Sequence, residues 1–254
     1  IFGLPSNIMS GHSKWSTIKR SKGAADIKRG LTFTKVANAI IIATKMGGSG
    51  DPQSNPRLRM AMEDAKAVNM PKENVQRAID RGLGKLPGQN LEEVLYEGFG
   101  PAKVAFMVEC VTDNKLRTLQ EVKNIFERNG GGLAGQGAVS YMFDRIGEIK
   151  VRSKGADKDT EMLELIDLGV EDVEENLPAG RQGIQGYLVY TDSNKLKEMS
   201  NKIIQAGYGV ENAEITLKPN TYAEIKDQEA ANKVLEFAQK LEEMDDIQKV
   251  YYNL

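Results

Sequence analysis

The hydrophobic period of this 254-residue chain changes near residue 90, and that change limits the folds open to it. Before it, side chains recur at helical spacing: Phe33, Val36, Ala37, Ile40, Ile41 and Thr44, then Leu58, Ala61, Met62, Ala65 and Val68, then Val75, Ala78 and Ile79. Each set predicts a helix with one buried stripe. Gly47-Gly48 stops the first, Asn55-Pro56 caps and opens the second, Pro71 opens the third, and Arg81-Gly82 ends it. Three or four such helices can share one modest core.

From Leu91 onward the pattern alternates. Strands are expected at 94–99 and 104–111, followed by a helix capped by Thr112-Asp113-Asn114 with Leu116, Leu119, Val122, Ile125 and Phe126 on one face. Gly130-Gly131-Gly132 ends that helix, and a loop leads to a strand at 138–143. A second unit reads as strand 146–151, helix 159–168, strand 170–174, strand 187–190, helix 194–206 and strand 210–217, the order of a ferredoxin-like split βαβ fold. Residues 177–183 form a surface excursion longer than a hairpin needs. After Pro219-Asn220 come a helix bearing Ala230, Val234, Leu235, Phe237, Ala238 and Leu241 and a strand at 247–252. One helix and one strand make no core by themselves, so they are expected to complete the first α/β piece. The fold class is therefore α+β: an N-terminal helical domain followed by two ferredoxin-like α/β domains, one inserted in the other. The expected domains are 9–86, 87–145 joined to 219–254, and 146–218. Residues 1–8, ahead of Met9, read as a disordered extension.

Charge divides at the same place as the period. Up to Asn90 there are 15 Lys and Arg against 6 Asp and Glu; from Leu91 there are 19 against 30, so a net charge of −2 hides a basic head on an acidic body. Between Lys14 and Lys35 seven cations (Lys14, Lys19, Arg20, Lys22, Lys28, Arg29 and Lys35) face one anion, Asp26. This stretch also follows the only His, His12, and holds the only Trp, Trp15. A dense basic segment running into a helix is the footprint of a polyanion-binding arm. The same charges would equally serve as a solvated leader on an ordinary helical domain. Trp15 either staples the leader to the helices or offers a stacking face to a base or ribose. The candidate nucleic-acid-binding set is His12, Lys14, Trp15, Lys19, Arg20, Lys22, Lys28, Arg29 and Lys35.

The segments GHSKWSTIKRSKGAADIKRG, FTK and NPRLRMAMEDAKAVNMPKENVQRAI resemble the N-terminal domain of the YebC/PmpR family, and YEGFGP, VTDNKLRT and SYMF continue the resemblance along residues 9–254. Members are described as probable transcriptional regulators, and a mitochondrial relative activates translation of cytochrome c oxidase I. The resemblance implies the same three-domain layout. It also implies a DNA-binding regulator of transcription or, alternatively, a ribosome-associated factor that binds ribosomal RNA and eases stalls at proline runs. This chain departs from the family pattern at Leu31 and Asn38, where members carry Lys and Arg, which thins the basic face. It also reads Pro101-Ala102-Lys103 where members tend to have Pro-Gly-Gly, and Lys115 where they tend to have Arg.

No catalytic constellation emerges, and the expectation is a non-enzyme without cofactor, metal or small-molecule substrate. His12 has no second His to pair with. Cys110 lies in an apolar run and reads as a buried, inert thiol. The glycines from Gly130 to Gly137 lack the Gly-Lys-Ser/Thr ending of a phosphate loop and precede a strand, so they read as a flexible connection. A single cysteine fits a reducing compartment, and no apolar run approaches the ~18 residues of a membrane span. The expected setting is the cytoplasm, with nucleic acid and the ribosome as partners and no membrane.

Overall fold

Gly47 and Gly82 end two of the three helices of the N-terminal region and Asn55 caps the start of the other, in a computed structural model that describes residues 25–88, 90–176, 186–225 and 227–254, with side chains from residue 31 onward except at Asn176. Helix α1 spans Ala25–Gly47, α2 Pro56–Ala67 and α3 Lys72–Gly82. Asn55 is almost fully buried and does three jobs at the α1–α2 corner. Its Oδ1 accepts from the Leu58 amide at 3.0 Å, while its Nδ2 donates to the carbonyls of Ala43 (2.9 Å) and Ser49 (3.1 Å). The side chain leaves no room at Gly47, where a Cβ would sit 2.2 Å from Asn55 Nδ2. Gly82 is a second close approach: a Cβ there would meet the Ile41 carbonyl at 2.7 Å. The three helices bury Ile40, Ile41, Leu58, Ala61, Ala65, Ala78 and Ile79 together, the stripes that helical periodicity predicts.

The chain continues as β1 (Glu92–Phe99), β2 (Ala105–Thr112), α4 (Lys115–Arg128) and β3 (Gly132–Ala134). It then builds β4 (Phe143–Arg152), α5 (Lys158–Asp167), β5 (Asp172–Asn176), β6 (Gly186–Asp192), α6 (Leu196–Gln205) and β7 (Gly209–Pro219). Last come α7 (Gln228–Glu242) and β8 (Ile247–Tyr252). Two antiparallel four-stranded sheets result, ordered β3-β1-β2-β8 and β5-β6-β4-β7. In the second, β4–α5–β5 straddles β6 and β6–α6–β7 straddles β4, the ferredoxin-like pattern. In the first, β2–α4–β3 straddles β1, and β8 pairs with β2 from the far side of the insertion. The fold is thus α+β, with one α/β piece inserted in the other. Compact packing divides the described residues into Phe143–Asn220 on one side, and the helices with the first sheet on the other.

The first sheet packs Phe106, Phe126 and Phe237 edge to face, with centroids 4.8 to 6.2 Å apart. Here α4 differs from expectation. Its buried stripe is Thr118, Val122 and Phe126, while Leu116 is 74% exposed. Asn114 caps the helix by accepting from the Arg117 amide, which turns Leu116 outward and puts Thr118 over Thr112.

The strand expected at 138–143 begins only at Phe143; a loop with a single 3₁₀ turn at Ser140–Met142 precedes it. The amides that a ladder would use are taken by the buried carboxylate of Glu97. It accepts from Gly137 (2.8 Å), Val139 (2.9 Å) and Ser140 (3.0 Å). Burial opposes ionisation of Glu97, but these donors outweigh it and hold the carboxyl below its ordinary range.

The second sheet buries a carboxylate in its core. Glu161 is 0% exposed, and accepts from the Tyr187 hydroxyl (2.8 Å) and from the amides of Lys154 (2.9 Å) and Ala156 (3.0 Å). Burial again opposes the charge; Ser153, Ala156, Tyr187 and Lys154 prevail and lower the pKa. Tyr208 donates to Glu164 at 2.7 Å, at the edge of the same network. The turn between β1 and β2 holds two adjacent non-glycine residues in the left-handed region, Ala102 and Lys103, with φ of 55° and 60°. The surface excursion at 177–183 and the extension 1–8 lie outside the described residues.

Candidate nucleic-acid interface

Of the basic residues singled out in the sequence, His12, Lys14, Trp15, Lys19, Arg20 and Lys22 lie outside the described residues. Lys28 and Arg29 fall in the first turns of α1, ahead of the described side chains. Lys35 is the member whose geometry is visible. Its Nζ donates to the Glu242 carbonyl at 2.6 Å, at the C-terminal end of α7. A cation there meets the negative end of the helix dipole and joins the helical head to the α/β body. Lys45 makes a similar link one helix end later, donating to Asn90 Oδ1 (2.7 Å) and the Leu91 carbonyl (2.9 Å). Arg57 pairs with Glu93 across the same joint.

The other cations of the head face outward. Lys66, Lys72, Arg77 and Arg81 are exposed and Arg59 is half-buried; none has a side-chain partner among the described residues. All five sit off the apolar stripes of α2 and α3, because the stripes must face the core and the remaining positions must face solvent. The helical period is the signal for them, since the cations outside the apolar stripes are the ones the sequence leaves available to phosphates. The five charges are uncompensated, unlike the cations of the body, many of which are paired. Arg117, for example, bonds Asp113 (3.0 Å) and Asp246 (2.8 Å). Asp246 is half-buried, which opposes its charge, but Thr118, Arg117 and Thr112 hold its carboxyl below the usual range.

Between the head and the first sheet lies a cleft of about 430 Å³. One wall is a stripe of α1 with Asn38, Ile41 and Lys45; another is the end of α3 and the segment after it, with Arg81, Leu86 and Leu91. The third is the β2–α4 corner and the turn before β8, with Val111, Arg117, Asp245 and Asp246.

Two sequence features that could carry chemistry are engaged in the fold. Cys110 is buried in β2, where burial and then the nearby Asp246 and Glu109 push its thiol up to about 12, far from a reactive thiolate. The glycine-containing loop before β4 spends amides on Glu97, so it does not present them to a phosphate. Among the described residues no group of three or more His, Cys, Asp or Glu is placed to hold a metal ion, and no helix is long and apolar enough to cross a membrane.

Two family models match this sequence: the TACO1/YebC protein N-terminal domain over residues 13–85, and the TACO1/YebC second and third domain over residues 91–254. A probable transcriptional regulatory protein of Chlorobaculum tepidum is 45% identical over 97% of this chain and 95% of its own length. One from Treponema pallidum is 46% identical over 96% of each. The crystal structure of a conserved hypothetical protein from Aquifex aeolicus superposes with a TM-score of 0.80 at 41% identity, covering 94% of this chain and 96% of that one.

Proposed function

Since this chain belongs to the TACO1/YebC family, we propose that it is a non-enzymatic regulator of gene expression whose basic helical head grips the phosphate backbone of a nucleic acid, with DNA as its target in transcriptional regulation. The observation that carries this reading is the set of unpaired cations on α2 and α3, Arg59, Lys66, Lys72, Arg77 and Arg81, which adds to the basic leader at 14–29. The names of the relatives point the same way. Phosphate contacts set position and leave base sequence unread, so affinity is expected to fall steeply with salt, by about 0.9 in log–log slope for each phosphate engaged on duplex DNA. The acidic body carries charge of the same sign as the polyanion, so the phosphates are expected to lie along the head.

Reversing charge at Lys28, Arg29, Arg59, Lys66 and Arg77 together tests this. Binding to any duplex is expected to disappear and the salt slope to flatten, while the melting temperature stays nearly unchanged. Binding that survives the reversal rejects the reading. Crosslinking in living cells with recovery of both DNA and RNA then separates a genomic target from a ribosomal one. Recovery of ribosomal RNA alone would move the regulator from transcription to translation.

A further inference from the structure

We propose that the cleft between the helical head and the first sheet takes one unpaired nucleotide, so that a strand gripped by the head has a single base drawn in and read; this rests on the nucleic-acid reading above. The cleft's volume, about 430 Å³, falls in the range of small-molecule sites, roughly 300–1,000 Å³. Its walls supply two kinds of chemistry at two ends. The close contact of Gly82 with the Ile41 carbonyl and Thr44 brings Arg81 to the last turns of α1, where Lys45 sits. Arg81 has no partner among the described residues, and the two bonds of Lys45 end on uncharged oxygens. This end fits a phosphate. At the other end, the Lys35 bond to Glu242 draws α1 against the end of α7, which sets Asn38, one turn on, beside the turn that carries Asp245.

Asp246 and Asp113 are engaged by Arg117, which leaves the exposed Asp245 as the open acceptor. The Asn38 amide, also without a partner among the described residues, offers one donor and one acceptor side. A carboxylate for an exocyclic amino group and an amide for a base edge are what recognition of an unstacked base uses. Between the two ends, Ile41, Val111, Leu91 and the 40% exposed Leu86 provide apolar surface for the faces of the ring. A paired base has its edge engaged and must be extruded first, so the cleft selects against duplex. Inorganic phosphate would use only the Arg81 end.

The test uses the full chain and three fluorescent probes: a short single-stranded RNA carrying one 2-aminopurine, the matching DNA strand, and the duplex. The native protein is expected to bind the single strands about tenfold tighter than the duplex, a 1.4 kcal/mol difference, and to brighten the 2-aminopurine as it unstacks. Asn38→Ala and Asp245→Ala should each erase the preference and the brightening while duplex binding and melting temperature hold. The two single-stranded probes show whether ribose or deoxyribose is favoured. Equal, tight binding of single strand and duplex by the native chain overturns the cleft assignment and leaves the backbone-gripping head intact. Failure to bind any probe overturns both. Brightening that persists in both variants overturns the roles of Asn38 and Asp245.

Discussion

The two sheets share a strand pattern and both cores are largely apolar, but they place a buried carboxylate differently. The first closes over three phenylalanines, Phe106, Phe126 and Phe237, and keeps its buried carboxylate, Glu97, for a loop. The second puts a carboxylate inside, where Glu161 ties Tyr187 to the amides that precede α5. An apolar core is held by area and shape, so it is nearly indifferent to pH. A core organised on an ionised group is specific in geometry and conditional on the proton.

The largest effect expected from breaking this contrast is on the apolar side. Phe126→Ala should cost about 3–5 kcal/mol by denaturant unfolding, since it removes a ring packed edge to face against two others. Glu161→Ala comes next, at about 3 kcal/mol, because it strands a tyrosine hydroxyl and two amides in the interior.

Acid sharpens the same difference. Both Glu97 and Glu161 have lowered pKa values in the folded chain, so their contribution is present above the unfolded-state value, about 4.3, and is lost as pH falls below it through the folded values. Melting followed from pH 7 to pH 3 should show the 143–220 unit loosening through its core, whereas the first sheet should lose the 137–140 loop before its phenylalanine cluster. Amide exchange at Val139 and at Ala156 distinguishes the two events. Glu161→Gln should flatten the acid dependence of the second unit alone.

A smaller effect is expected in the head. Asn55→Ala should cost about 2 kcal/mol, an N-cap together with two stranded carbonyls. The smallest has the opposite sign: Ala102→Gly or Lys103→Gly should stabilise the chain by about 1 kcal/mol, by relieving a left-handed conformation that costs a side chain. No change in melting at either position would show that the turn is not strained.

How far the sequence reaches depends on whether the cause of a feature is local. The helical stripes of the head and the strand–helix order of the second unit follow from periodicity, and both appear in the structure. The misplaced strand at 138–143 had the alternation of a strand, Ala-Val-Ser-Tyr-Met-Phe, yet its amides are claimed by a glutamate some 40 residues earlier, and no local pattern reveals that. Leu116 failed for a nearer reason, since the cap at Asn114 sets the phase of α4 and a hydrophobic side chain can end up in solvent. The cleft was out of reach altogether. Asn38, Arg81 and Asp245 come from three separate segments, and only the folded chain makes them neighbours.

The insertion also imposes an order in time. The chain leaves the first sheet at Met142 and returns at Thr221, so during synthesis β4 to β7 are complete before α7 and β8 exist. The ferredoxin-like insert can therefore fold while its host still waits with β2, an apolar strand, unpaired along one side. A nascent chain held on the ribosome once residue 219 has cleared the exit tunnel, with β8 still inside it, should show a protease-resistant insert and an unfinished host, and chaperones that bind exposed apolar strands should find it in that interval.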